Sequence, residues 1–155
     1  MNSITDLNVL LIEKFTNFET EIEFYQQSSG TSTRIFDHYV SDESVKGIVV
    51  GAYGAGNVQG RLVPYIQRAV KMGKPVLVVT SCRLGAADMG IYEVGSAPLK
   101  AGAISAGDMG IECAMQKMMY AVGKTSNISG DKILIIKEII HKPVLDDIGI
   151  TENRF

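Results

Sequence analysis

A strand, a glycine-rich loop and a helix follow one another in the segment KGIVVGAYGAGNVQGRL, which spans residues 46–62. Gly47 to Val50 is apolar on both faces, which is typical of a strand buried within a parallel sheet. The loop ends in Gly54-Ala55-Gly56-Asn57, and an amphipathic helix is predicted over Arg61 to Met72. Because open α/β sheets bind small molecules where their strands end, this order predicts that Asn57 lies at a binding edge.

The same alternation of strand and helix continues along the chain. Pro75 to Thr80 is predicted as a second buried strand, and Ala103 with Ile104 as a brief one. Helices are predicted over Ile111 to Val122 and Asp131 to His141. In such an alternation the strands are parallel and helices cover both faces of the sheet. We therefore predict one domain over residues 1–155, a three-layer α/β fold of the flavodoxin-like or Rossmann-like type with a short parallel sheet.

Other segments give weaker patterns. Asn8 to Ile12 is apolar and is predicted as the first strand, whereas Phe15 to Gln27 fits neither the helical nor the strand period clearly. Arg34 to Tyr39 fits a strand or a helical turn, and Gly90 to Leu99 fits a helix or a loop that holds a short element. The sheet and helix assignments are therefore firmest from Lys46 onward.

Composition and charge exclude several classes of function. The 155 residues are 46% hydrophobic and 21% charged, which is typical of one globular domain. A net charge of -2 gives no electrostatic basis for binding nucleic acid or an anionic membrane, and no apolar run is long enough to span a bilayer. The start MNSITDL lacks a signal-type region, so we expect a cytoplasmic protein with free thiols at Cys82 and Cys113. His38 and His141 have no ligand-spaced partners, so no metal or other cofactor is expected.

The residues of the glycine loop alone allow more than one meaning. A strand-to-helix turn uses glycine because it adopts positive φ at little steric cost. Gly54, Gly56 and Gly60 also spell GxGxxxG, which is close to a dinucleotide fingerprint. Gly51 to Tyr53, however, separates the strand from the first of these glycines, and the next strand ends in Val79-Thr80-Ser81 without an acidic residue to bind a ribose. A nucleotide-binding domain is therefore the least favoured interpretation.

An ordered series of segments covers about Lys46 to about Lys124: KGIVVGAYGAGN, a helix, GKPVLVVTSCRLG, YEVG, LKAGAISAGDM and a further helix. This series resembles the C-terminal domain of the bacterial-type L-asparaginases. In that family a strand ending in G-x-G-N precedes a helix, then a V-V-x-[TS]-S strand, then a G-x-[IV]-x-x-x-D-M segment that leads into a helix. No single segment is specific, but the ordered set is.

The resemblance implies hydrolysis of L-asparagine to L-aspartate and ammonia, in which a threonine hydroxyl attacks the side-chain amide and water then releases aspartate. In the family this nucleophile lies in a larger N-terminal domain that opens with a threonine-glycine-glycine-threonine motif. The Gly30-Thr31 pair of this chain has a different context. The chain resembles the smaller domain only, so we expect no catalytic residue in it and no activity from it alone. Its expected partners are an N-terminal catalytic domain, on the same or a separate polypeptide, a small amino acid, and further copies in a homodimer or homotetramer.

The resemblance also implies roles for individual residues. Asn57 would reach across a dimer towards the α-amino end of the substrate in a neighbouring active site, beside Gly56 and Tyr53. A neutral amide suits this role because it donates and accepts hydrogen bonds without titrating. The alternative is that Asn57 only caps the following helix or closes a turn. Glu93 or Tyr92 would contact the same substrate in some members of the family, and the simpler alternative is a solvated Glu93 and a packed Tyr92.

The residues after the second buried strand form a second candidate site. Some cytosolic members of the family bind a second asparagine as a regulator near this edge, so Thr80, Ser81, Cys82 and Arg83 are candidates for an allosteric site, with plain packing as the alternative.

A different class of function is a non-catalytic module that binds an amino acid or regulates a partner. The sequence leaves the substrate open between asparagine, glutamine and a peptidyl or tRNA-linked amide.

Overall fold

Four parallel strands form a sheet in the order β1-β2-β3-β4. The computed structural model describes residues 17–82, 85–87, 89 and 93–144. The strands are Ile22–Gln26 (β1), Gly47–Ala52 (β2), Val76–Thr80 (β3) and Ile104–Ser105 (β4). Every residue of β2 and β3 is buried. The pairing of Gln26 with Gly51 and of Ala52 with Thr80 brings the carboxyl ends of β1, β2 and β3 side by side.

Five described α-helices and one 3-10 turn accompany these strands. They are Arg34–Ser41 (α1), the 3-10 turn Gly60–Leu62, Val63–Lys71 (α2), Glu93–Lys100 (α3), Ile111–Thr125 (α4) and Lys132–His141 (α5). The connections through α1, α2 and α3 all advance the sheet by one strand in the same direction. Right-handed connections of this kind place their helices on one face of the sheet. The helices that follow β4 are then left to cover the other face.

Each face of the sheet has its own apolar core. Alternate residues of a strand point to opposite faces, so Ile48 and Val50 of β2 enter one core and Val49 enters the other. The core on the side of α1 and α2 includes Phe36, Val40, Leu62, Ile66 and Ala69. The core on the side of α4 and α5 includes Ala114, Met118, Ala121, Ile136 and Ile140. The predicted three-layer α/β fold, with helices on both faces of a short parallel sheet, is confirmed.

The helix predicted over residues 61–72 is divided in the structure. A 3-10 turn over Gly60–Leu62 precedes α2, and Pro64 lies in the first turn of α2, where its missing N–H has no helical partner to lose. Gly73 follows the end of α2 with φ +79°, the left-handed conformation that commonly ends a helix. The prediction of an amphipathic helix was therefore right about its buried face, which includes Leu62, Ile66 and Ala69. It was wrong about the first turn, which is 3-10 and not α-helical.

The weaker patterns are resolved where the structure describes them. The ambiguous segment Phe15 to Gln27 contains β1. The segment Arg34 to Tyr39 belongs to α1, in which Phe36 and Val40 lie one turn apart and are buried, so the strand alternative is wrong. The segment Gly90 to Leu99 contains most of α3. The predicted first strand, Asn8 to Ile12, lies outside the described residues.

Three further findings bear on the classes of function. A helix that spans a bilayer needs an apolar stretch of sufficient length, and none of the helices in the described ranges contains one. The described residues contain no group of three or more histidine, cysteine, aspartate or glutamate side chains arranged to hold a metal ion. Cys82 is exposed, and it forms no disulfide with Cys113.

Candidate functional site

The glycine loop closes on itself directly after β2. The Tyr53 N–H donates to the Asn57 carbonyl at 3.2 Å, and the Tyr53 carbonyl accepts from the N–H groups of Gly56 and Asn57 at 3.1 and 2.8 Å. Gly54 and Gly56 have φ values of +48° and +91°, which residues with a Cβ rarely adopt. The generic need for glycine in a tight turn is thus met here, and the turn brings Asn57 back beside the end of β2.

Neighbouring segments fix the first half of the loop. The Thr80 hydroxyl, at the end of β3, donates to the Gly54 carbonyl at 2.6 Å. Gly56 is buried against Met89 and Ala87, so that a Cβ at this position would lie 2.8 Å from the Met89 Cγ. The loop therefore lies across the carboxyl ends of β2 and β3, where the sequence predicts a small-molecule site.

A buried side chain from the end of β1 fixes the second half of the loop. Gln27 is 1% exposed, its Nε2 donates to the Asn57 carbonyl at 2.5 Å, and its Oε1 accepts from the Gln59 N–H at 3.1 Å. Sequence reasoning missed Gln27, because no motif marks a glutamine that lies 30 residues before its partner. The available signal was its position directly after a strand that pairs with β2.

The Asn57 side chain itself is half-buried, and no described residue forms a hydrogen bond with its amide. Gln59 is the N-cap residue of the 3-10 turn that follows, and Leu62 is the N-cap residue of α2. Neither element has a side-chain hydrogen bond that caps it. In the described structure Asn57 therefore closes the turn through its backbone and does not cap the helix. Its carboxamide lies at the sheet edge with a donor and an acceptor that no described residue uses.

The structure brings some of the other predicted site residues to this edge. Tyr53 lies in the same turn as Asn57, and the residue is 38% exposed. Tyr25, beneath the loop region, is buried, and burial raises the pKa of its phenol although the nearby Arg61 guanidinium acts in the opposite direction. Glu93 begins α3, but the described part of the structure does not include its side chain. Tyr92 lies outside the described residues.

The candidate allosteric residues continue from β3. The buried Thr80 donates to the loop and also accepts from the Cys82 N–H at 3.0 Å. The Ser81 N–H donates to the Ala52 carbonyl at 2.9 Å, and the Ser81 hydroxyl lies 3.0 Å from the Gln26 Nε2. These contacts link the ends of β1, β2 and β3, which is the structural role that the packing alternative assigns to Thr80 and Ser81. Arg83 lies outside the described residues.

A nucleophile paired with a base is not found among the described side chains of this edge. The Thr80 and Ser81 hydroxyls bond a carbonyl and an amide respectively. The Nε2 of His141 lies 3.0 Å from the Ser105 carbonyl, and the Nε2 of His38 lies 4.0 Å from the Asp42 Oδ2. No hydrogen bond among the described residues joins either histidine to Cys82.

Comparisons with known proteins agree with this geometry. The chain is 33% identical over 117 residues to a subunit of the glutamyl-tRNA(Gln) amidotransferase of Pyrococcus abyssi, a match that covers 76% of this chain and 26% of that protein. The chain thus spans about a quarter of the length of the curated relatives it matches.

Solved structures give the same answer for the fold. The thermostable L-asparaginase from Thermococcus kodakarensis superposes with a TM-score of 0.77 at 28% identity, over 87% of this chain and 40% of that chain. L-asparaginase I from Vibrio cholerae superposes with a TM-score of 0.72 over 84% of this chain and 38% of that chain, and at 24% identity it supports the fold alone. Residues 21–132 also match the profile of the "Glutaminase/Asparaginase C-terminal domain", so the chain belongs to this family.

Proposed function

We propose that this chain is the smaller domain of an asparaginase-type amidohydrolase and completes the active site of a neighbouring subunit with its glycine loop. The observation that carries the proposal is the state of Asn57. Both of its backbone hydrogen-bonding groups are held in place, while its side-chain amide has no partner among the described residues. A fixed backbone whose side-chain amide is not bonded by the described residues is suited to a site that a neighbouring subunit completes with its bound substrate.

The chemistry in this proposal is divided between two domains. The catalytic domain supplies a threonine hydroxyl, which attacks the amide carbonyl of L-asparagine so that ammonia leaves, and water then hydrolyses the ester to release L-aspartate. Asn57 contacts the α-amino end of the substrate and does not react. A neutral amide is suited to this contact because its hydrogen bonding is unchanged over the physiological pH range. The Thermococcus structure is named an L-asparaginase, whereas the Pyrococcus abyssi relative is named a subunit of a glutamyl-tRNA(Gln) amidotransferase. We propose free asparagine as the substrate, and glutamine or a peptidyl or tRNA-linked amide is the alternative.

The proposed partners follow from the same division. We infer that the catalytic domain is supplied by the same or a separate polypeptide, that the assembly is a homodimer or homotetramer, and that it works in the cytoplasm. Tyr53 and Gly56 belong to the proposed substrate contact through their place in the turn with Asn57. Glu93 and Tyr92 remain proposed contacts, and Thr80, Ser81, Cys82 and Arg83 remain a proposed regulatory edge.

A chimera tests the proposal. This chain replaces the matched segment of the Thermococcus kodakarensis L-asparaginase, and ammonia release from L-asparagine is measured after gel filtration has established that the chimera is folded. We expect activity in the chimera and none in the 155-residue chain alone. The substitution Asn57→Ala is expected to lower kcat/KM by about tenfold to a hundredfold, the loss expected for a hydrogen bond to a charged group.

Asn127→Ala is the matched control for Asn57→Ala. Asn127 is exposed and follows α4, near the amino edge of the sheet, since Gly123 of α4 contacts residues that precede β1. Its loss is expected to leave kcat/KM unchanged. An unchanged kcat/KM of the chimera with Asn57→Ala would contradict the proposed role of Asn57. Ammonia release by the chain alone would contradict the assignment of catalysis to a separate domain.

The alternative functions have their own tests. Calorimetry of the isolated chain with asparagine and aspartate separates the proposal from a non-catalytic binding module, because only the module retains tight binding without a catalytic domain. A nucleotide-binding domain is disfavoured by the loop itself, since the Gly56 and Asn57 N–H groups that would face a pyrophosphate already donate to the Tyr53 carbonyl. Saturable binding of a dinucleotide would reverse that conclusion.

A further inference from the structure

Gln27 lies outside the glycine loop, yet it holds the loop at two points on either side of Val58. Its amide is 1% exposed and is oriented so that Nε2 donates to the Asn57 carbonyl while Oε1 accepts from the Gln59 N–H. Only this orientation of the carboxamide satisfies both partners. In the reverse orientation Oε1 would face the Asn57 carbonyl oxygen and Nε2 would face the Gln59 N–H, so that neither pair could form a hydrogen bond. We propose that Gln27 is a positioning residue that sets the direction of the Asn57 side chain, an inference that rests on the proposed function of Asn57.

The loop needs such a clamp because its own sequence does little to restrict it. Gly54 and Gly56 allow many backbone conformations in the absence of other contacts, and ordering them costs conformational entropy. The turn hydrogen bonds reach as far as Asn57 and no further. Val58 is 3% exposed and anchors its side chain in the core. With the Asn57 carbonyl and the Gln59 N–H held by Gln27, the backbone on both sides of Val58 is fixed.

The clamp has a natural control one residue away. Gln26 has the same side chain and ends the same strand, but it is exposed and points to the opposite face. Its Nε2 lies 3.0 Å from the Gln27 carbonyl, 3.0 Å from the Ser81 hydroxyl and 3.3 Å from the Gly51 carbonyl. It contacts the backbone of Gln27 in this way, but it makes no described hydrogen bond to residues 57–59. A comparison of Gln27→Met with Gln26→Met therefore separates the clamp from a general effect of losing a glutamine at this strand end.

Amide hydrogen exchange of the ¹⁵N-labelled 155-residue chain is the direct test. In Gln27→Met we expect the Gln59 backbone amide to exchange at least about tenfold faster than in the unchanged chain, because its acceptor is gone. The amides of Val49 and Val78, in β2 and β3, are expected to keep their protection in both variants. Unchanged protection of Gln59 in Gln27→Met, or the same loss in Gln26→Met, overturns the proposal.

A second measurement keeps the proposal testable if Gln27→Met fails to fold. Both glutamine amides are hydrogen-bonded, but Gln27 is buried and Gln26 is exposed. In the unchanged chain the side-chain NH₂ protons of Gln27 are therefore expected to exchange more slowly than those of Gln26. Equally fast exchange at the two glutamines would overturn the clamp without any variant.

The chimera described above separates failure of the clamp from failure of the proposed function. In the chimera we expect Gln27→Met to lower kcat/KM by about tenfold, mainly through KM, and Gln26→Met to leave it unchanged. Equal activity of the chimera with and without Gln27→Met overturns the positioning role and leaves the proposed function intact. An inactive chimera with an accelerated Gln59 amide in Gln27→Met supports the clamp and counts against the proposed function.

Discussion

The Thr80 hydroxyl donates a hydrogen bond of 2.6 Å to the Gly54 carbonyl, and this bond joins the end of β3 to the loop that leaves β2. The same oxygen accepts from the Cys82 N–H at 3.0 Å. One side chain therefore bonds the glycine loop after β2 and the segment that follows β3. Thr80 is 5% exposed, which means that water cannot readily replace it. The two strand ends and the glycine loop therefore form one connected unit.

Replacement of Thr80 by valine is expected to weaken this unit. Valine keeps the shape of threonine but removes the hydrogen bonds to the Gly54 carbonyl and the Cys82 N–H. Because Gly54 and Cys82 are exposed, the expected cost is the net contribution of ordinary hydrogen bonds, about 0.5–1.5 kcal/mol each. Urea unfolding followed by circular dichroism measures the difference. Thr80→Ser keeps the hydroxyl and is the control, with an expected loss smaller than that of valine. A valine variant as stable as the unchanged chain would show that the bond contributes nothing net.

Gly56→Ala is expected to destabilise the chain through both sterics and backbone conformation. The added Cβ would lie 2.8 Å from the Met89 Cγ and 3.3 Å from Ala87, at a φ of +91°. Strain of this kind costs about 1–3 kcal/mol. Gly60→Ala is the matched control, since a Cβ at Gly60 meets no described atom within 4 Å and the residue has no positive φ. Similar unfolding free energies for the two variants would contradict the loop geometry.

The strands that the sequence predicted best are those whose environment is simplest. β2 and β3 are buried at every position, so an unbroken apolar run was a sufficient signal. β1 has a mixed pattern in which Phe24 is half-buried and Gln26 exposed, because among the described strands it lies at the edge of the sheet, and its period is therefore weak. α1 has only eight residues, too few for the helical period of Phe36 and Val40 to exclude a strand.

The candidate site was predictable only in part, for a physical reason. Asn57 is indicated by the order strand, glycine loop, asparagine, all within one local segment. Gln27 acts from a neighbouring strand, and its partnership with Asn57 depends on the parallel register that sets Gln26 opposite Gly51. Register is a property of the assembled sheet and is not encoded by either segment alone. The side chain that positions the loop was therefore visible only in the structure.

Gly123→Ala is expected to destabilise the chain although it replaces a helical glycine. In a helix interior this change ordinarily stabilises by about 0.5–1 kcal/mol. Here the Cβ would lie 2.4 Å from the Asn17 carbonyl oxygen, and that backbone is itself held by the Asn17 Nδ2, which donates to the Gly123 carbonyl at 2.8 Å. Thermal unfolding measures the sign of the effect. Gln116→Ala, at an exposed position of the same helix, is expected to be neutral or stabilising, and a stabilised Gly123→Ala would refute the close contact.

Ser44→Ala is expected to change how the stability of the chain depends on acid pH. The Ser44 hydroxyl and N–H donate to the Asp42 carboxylate at 2.7 and 2.9 Å. These bonds, above all that of the hydroxyl, hold the pKa of Asp42 below its ordinary value, and the charges of His38 and Lys74 act in the same direction. Because the folded pKa is depressed, the contribution of Asp42 to stability is present above the unfolded pKa and is lost as the pH falls through the folded pKa.

In Ser44→Ala the pKa of Asp42 should therefore rise towards its ordinary value, as a ¹³C carboxyl titration would record. The loss of stability relative to the unchanged chain should be larger at pH 6 than at pH 2, because the contribution of the ionised carboxylate fades as the pH falls through the folded pKa of Asp42. Ser44→Thr keeps the hydroxyl and should preserve the low pKa. A loss of stability that is the same at both pH values would assign the effect of Ser44 to packing, because a bond to the ionised carboxylate cannot act once that carboxylate is neutral.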